Sequence, residues 1–172
     1  GTITVDGLTV AGNVSADGGT IKLDGNYPVG TANVALGNTA LDSASGSNGY
    51  SVAIGTNALT AMTSGGANVA VGYASGAALT TGGNNIAVGS QALDATTTAS
   101  NNVAVGSAAL SSNTTASNNT AVGFQAGYTN TTGVNNLSLG FQAGYTNATS
   151  NYNTAVGTQS LANNTGSNNV AL

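Results

Sequence analysis

The side chains of this sequence that could do acid–base, nucleophilic or metal chemistry are few. There is one basic residue, five carboxylates, and no histidine or cysteine. Two of the carboxylates, Asp42 and Asp94, fall at the same place in an internal repeat. Paired acids are what a glycosidase needs: about 5 to 9.5 Å apart, one protonates the leaving oxygen while the other attacks or activates water. Three repeats separate Asp42 from Asp94, roughly 14 Å at the spacing of stacked strands, which is too far for that chemistry within one chain. Serine and threonine are plentiful, but a hydroxyl without a neighbouring base is only a polar group. The chain reads as non-enzymatic.

Metal chemistry has equally little to work with. The calcium-binding β-roll pattern needs an aspartate in every turn, and the array has two in total. Asp6, Asp17 and Asp24 each precede a glycine and read as turn residues. A ring of Asp42 or Asp94 carboxylates contributed by several chains could hold a cation, but isolated loop acids specify a site weakly. No metal or other cofactor is expected. One lysine cannot neutralise a run of phosphates, so nucleic acid is excluded as a partner. No window approaches the roughly 18 consecutive apolar residues of a membrane helix, so no membrane insertion is expected.

The elements that would position any site are set by repetition. With 40% hydrophobic but only 3% charged residues, solubility rests on Asn, Thr, Ser and Gln. Four of the six charges, Asp6, Asp17, Lys22 and Asp24, lie in the first 24 residues. Residues 1–30 show short alternating apolar runs broken by Asp-Gly turns, which predicts a strand-rich leader segment. Pro28 marks its junction with the array at 31–172. The chain opens at Gly1 and stops at Leu172 inside a repeat, as a piece of a longer protein would.

From Asn33 onward an apolar–small–apolar triplet followed by glycine recurs, as in Asn101-Asn102-Val103-Ala104-Val105-Gly106. The glycines are Gly37, Gly55, Gly72, Gly89, Gly106, Gly123, Gly140 and Gly157, spaced 18 residues once and 17 thereafter. A period of two with β-branched residues is a strand signal, and seventeen residues cannot hold two helices. Each repeat is therefore predicted to be one coil of a parallel β-solenoid, with Gly55, Gly72, Gly89, Gly106, Gly123, Gly140 and Gly157 as coil turns. A second strand is expected near Gln91-Ala92-Leu93, then a polar return loop. Eight coils give a rod about 40 Å long.

Alternation along a strand assigns faces. The apolar-inside rule puts Val52, Ile54, Val69, Val71, Ile86, Val88, Val103 and Val105 in the core. It turns Ala53, Ala70, Ala87, Ala104, Ala121 and Ala155 outward, where such small residues imply close approach of another chain, hence an oligomer. The Asn column four residues before the glycine is expected to form a hydrogen-bonded ladder along the solenoid or to satisfy turn backbone. Tyr73, Phe124 and Phe141 follow a glycine in the three repeats that carry Gly76, Gly127 and Gly144 where others carry leucine, an apparent exchange of core volume. Tyr128 and Tyr145 are expected as an exposed aromatic ladder.

The segments Asn85-Ile86-Ala87-Val88-Gly89-Ser90-Gln91-Ala92 and Tyr50-Ser51-Val52-Ala53-Ile54-Gly55-Thr56-Asn57-Ala58 resemble the head repeats of YadA-like trimeric autotransporter adhesins. That resemblance spans residues 33–172 and implies a left-handed β-roll, a homotrimer and an adhesive role. Family repeats are near fourteen residues, so coils of seventeen imply longer return loops. Asn119 to Tyr128 and the leader from Leu8 to Leu23 look more like bacteriophage tail-fibre proteins. The resemblance thus implies an extracellular, trimeric tail-fibre segment whose strands intertwine over residues 1–30. Its partner would be a host-surface glycan or protein, engaged through parts outside this chain; the alternative is a bacterial cell-surface adhesin head. An ice-binding solenoid is the other class considered. It calls for threonine in fixed columns, whereas Thr80-Thr81, Thr96 to Thr98, Thr114-Thr115 and Thr131-Thr132 read as drifting loop clusters, which favours the fibre.

Overall fold

A computed structural model describes residues 33–44 and 49–172; the predicted leader and the Pro28 junction lie outside them. The described array is an all-β parallel solenoid. Its strands are β1 (Val34–Leu36), β2 (Val52–Ile54), β3 (Val69–Val71), β4 (Ile86–Val88), β5 (Val103–Val105), β6 (Thr120–Val122), β7 (Leu137–Leu139), β8 (Thr154–Val156) and β9 (Val170–Ala171). They form one sheet in sequence order. Each pair is parallel with equivalent residues side by side, as Ile86, Ala87 and Val88 lie beside Val103, Ala104 and Val105. One coil therefore sits directly on the next.

The second strand predicted near Gln91 to Leu93 does not form. Gln91 and Leu93 have φ of 58° and 53°, left-handed values that a strand cannot contain. Coil-to-coil bonding continues through these turns all the same: Gln91 N–H donates to the Tyr73 carbonyl and Leu93 N–H to the Ala109 carbonyl, at 2.8 and 3.1 Å. The fold thus keeps backbone pairing around the coil while only one wall is regular strand.

The faces of that strand are the reverse of the expectation. Ala53, Ala70, Ala87, Ala104, Ala121 and Ala155 are at most 2% exposed, and all but the last belong to one continuous core with Leu41, Leu59, Leu93 and Leu110. Val52, Val69, Val71, Val88, Val103 and Val105 are partly exposed, and Ile54 and Ile86 are exposed. The cause is the narrowness of the coil. A Cβ placed on Gly127 would stand 3.7 Å from the Ala121 Cβ and 2.9 Å from Leu110 Cδ2. The strand wall thus faces the leucine column across a gap that a methyl group already fills. Alanine fits there and valine does not, so the β-branched side chains are displaced to the outer pleat, where β propensity still favours them.

Two glycine columns have different causes. Gly106 has φ +136°, and a Cβ on it would lie 2.3 Å from the Gly123 carbonyl oxygen; successive coil turns touch backbone to backbone. Gly76, Gly127 and Gly144 share left-handed φ near 60° with the leucines of the same column, such as Leu59 at 49°. Glycine relieves that strain, which costs a leucine about 1–2 kcal/mol. The expected exchange of core volume does not occur, because Tyr73, Phe124 and Phe141 are exposed. The Leu59 and Leu110 side chains reach over Gly76 and Gly127 instead.

The predicted Asn ladder is present and lies inside. Asn68 Oδ1 accepts the backbone N–H of Asn85, Asn85 Oδ1 that of Asn102, and Asn102 Oδ1 that of Asn119, at 2.9 to 3.0 Å. The side-chain amides of Asn85 and Asn102 donate to the carbonyls of Ala99 and Ala116, at 2.9 and 3.0 Å. A fully polar side chain is thus tolerated in the core because both ends of its amide are bonded.

Candidate interaction surfaces

Outer positions on either side of each coil-turn glycine align into three columns: the first and third strand residues and the residue after the glycine. Of the large hydrophobic side chains exposed among the described residues, Leu36, Ile54, Ile86, Val122, Val170, Leu172, Tyr73, Phe124 and Phe141 lie in these columns. Only Tyr50 and Tyr152 lie elsewhere, five residues before a glycine. With eight strand pairings the strip is roughly 38 Å long and, across five residues, roughly 13 Å wide. It contains no charged residue among the described positions. The eight residues expected as core therefore lie in the strip, and the six alanines expected at a chain interface are sealed within their own coils.

Within the strip and beside it, polar and aromatic side chains also stack by column. Phe124 and Phe141 lie 5.6 Å apart with planes 14° from parallel. Tyr128 and Tyr145 stack at 5.2 Å and 8°, the expected ladder, although both are half-buried. Gln142 donates its side-chain amide to Gln125 Oε1 at 2.9 Å, and Gln159 to Gln142 Oε1 at 3.2 Å. The regular coil spacing converts single residues into ordered rows, each side chain bonded to its own kind.

The threonines do not drift. Counted from the glycine, Thr80, Thr97, Thr114 and Thr131 hold one column, and Thr81, Thr98, Thr115 and Thr132 the next. The first column is half-buried and the second exposed. In the first, the hydroxyls of Thr97 and Thr114 donate to the carbonyls of Thr114 and Thr131 at 3.2 and 3.1 Å, so they are fixed in place. The sequence held this signal: counting each threonine from its own glycine, instead of along the chain, reveals the columns.

No site for acid–base chemistry assembles from the candidates. Asp42 is exposed on the coil of Gly37 and Asp94 is half-buried on that of Gly89; three strand pairings separate those coils. Among the described residues no three His, Cys, Asp or Glu side chains come together, and no helix is long and apolar enough to cross a membrane. Compared with protein-family models, with curated proteins and with solved structures, the chain gives no significant match in any of the three.

Proposed function

We propose that this array is a stiff, non-enzymatic segment of a homotrimeric surface fibre, the tail fibre of a bacteriophage, that holds a receptor-binding part away from its anchorage. The observation that carries the proposal is the uncharged outer strip along the described coils, whose two strand columns are apolar except at Thr120 and Thr154. Apolar surface that long is costly in water, and its best cover is a copy of itself. A second chain has the same coil rise, so its strip meets this one column for column along the full length. The assembly is left-handed and three-chained by the resemblance of the repeats to adhesin heads. The bare alternative, a lone monomer, leaves the strip in water. Sedimentation of the purified array tests this: a folded monomer at micromolar concentration would sink the fibre. Phage rather than bacterial origin rests on the resemblance of Asn119 to Tyr128 and of the leader from Leu8 to Leu23 to tail-fibre sequences. An outer-membrane anchor domain encoded downstream would move the segment to a bacterial adhesin.

A second reading, ice binding, is favoured by one observation, the two fixed threonine columns. Their hydroxyls and methyls repeat at the coil spacing on a rigid backbone. Thermal hysteresis measured on the array decides it; hysteresis that Thr115→Lys abolishes would establish ice as a ligand, and none at all would remove this reading.

A further inference from the structure

The solenoid interior changes character along its axis. Seven residues after the glycine the column runs Met62, Leu79, Thr96, Asn113, Asn130, Asn147, each at most 4% exposed. Asn113, Asn130 and Asn147 donate their side-chain amides to the carbonyls of Ala116, Gly133 and Ser150, at 3.0, 2.9 and 3.4 Å. Their Oδ1 atoms are buried and accept no hydrogen bond from the protein. This separates them from the other asparagine column, whose Oδ1 atoms accept the next coil's N–H. Turning the amides over is no remedy, because each Oδ1 would then face a carbonyl oxygen and the amide N–H groups would be stranded instead. Three bare carbonyls in successive coils would consume much of the marginal stability of a fold.

The same region has lost side-chain volume. Gly127 and Gly144 stand three residues before Asn130 and Asn147 in the column where every other coil but that of Gly76 has leucine, and the carbonyls of these glycines accept the Asn130 and Asn147 backbone N–H at 3.1 and 3.4 Å. Two of the three bare oxygens, those of Asn130 and Asn147, therefore share a turn with such a glycine, while Asn113 follows Leu110. Leu110 leans over Gly127, but over Gly144 lies the hydroxyl of Ser138, 2.5 Å from where a Cβ would be. Ser138 replaces the alanine of the other coils, so a hydroxyl fills the space beside Gly144.

We propose that the coils from Asn113 to Asn147 hold a short file of buried water molecules, each donating to one of these Oδ1 atoms. Water fits where a cation does not: no Asp or Glu occurs in the coils from Gly106 to Gly157 to balance a charge, and a buried water needs two to four polar partners, for which Oδ1 atoms stacked about 4.8 Å apart at the coil spacing are suited. A crystal structure of the intact protein at high resolution tests this. Ordered solvent at about 2.7–3.2 Å from the three oxygens is the expected result. In Asn130→Leu, with the residue type the same column carries at Leu79, the adjacent solvent peak should vanish while the fold persists. If that variant fails to fold, Asn113→Thr, which copies the residue type at Thr96, replaces it. Empty density beside all three oxygens, or a protein donor found there, overturns the proposal. So does an unfolding midpoint that potassium or sodium chloride raises above its value in choline chloride, since that identifies a bound cation.

Discussion

The side-chain oxygen of Asn85 accepts both the backbone N–H and the side-chain amide of Asn102, at 3.0 and 3.2 Å. One residue thus closes its own coil and orients its successor, and the pairing recurs where Asn153 donates both groups to Asn136. Register in a parallel stack is otherwise weakly specified, because neighbouring strands are nearly identical. A buried amide that is satisfied in one register only supplies the missing constraint.

Asn102→Ala should therefore be among the costlier single changes that remove no apolar contact. It strands the buried N–H of Asn119, worth about 1–3 kcal/mol. Asn101→Gly, one residue away on an exposed left-handed position with φ 60°, should stay within about 0.5 kcal/mol of the parent. Urea midpoints for the two variants measure the difference, and equal midpoints would contradict the ladder's role.

Gly106→Ala should destabilise by about 3 kcal/mol or more, since the new methyl meets backbone and the φ is one that L residues avoid. Gly76→Ala should cost less, about 1–2 kcal/mol, because there the methyl meets only the Leu59 side chain, 2.9 Å away. Thermal unfolding of both proteins ranks them.

The two faces of β5 respond differently to charge. Ala104→Lys should prevent the chain from folding, because the methyl it replaces is wholly buried in its own coil. Val105→Lys should leave the strand spectrum by circular dichroism intact while blocking association of chains, read by sedimentation. A folded Ala104→Lys protein would mean that the alanines face outward after all.

Leu93→Ala should cost about 2–4 kcal/mol by leaving a cavity, in any assembly state. Val103→Ala, by contrast, should cost little in a chain kept monomeric and more in the assembled fibre. Denaturation below and above the association concentration distinguishes the two positions.

Much of this fold was legible in residue spacing. Glycine at every seventeenth residue, the Val-Ala-Val triplets and the Asn column specify parallel coils in register, and the strand bounds at Val103–Val105 follow from them. The sign of the alternation was not legible. A period of two says that Ala104 and Val105 face opposite ways but not which is inside. The usual preference for larger apolar groups inside fails here because the coil is too narrow to seat valine opposite Leu110. Backbone geometry was hidden too: Gln91 and Leu93 look like strand residues by type, and only their left-handed φ makes them a corner. The bare Oδ1 of Asn130 could not be read at all, since Asn130 and the fully bonded Asn136 differ only in which turn of the coil they occupy.

Because the parallel backbone pairing repeats from coil to coil, removing or duplicating seventeen residues between two glycines such as Gly89 and Gly106 re-creates the same strand pairing at the splice. Slippage between repeats during replication would therefore yield folded chains of altered reach in steps of about 4.8 Å, with no new surface to optimise. The length of this rod is in that sense a heritable quantity that selection can adjust one coil at a time, independently of whatever it carries.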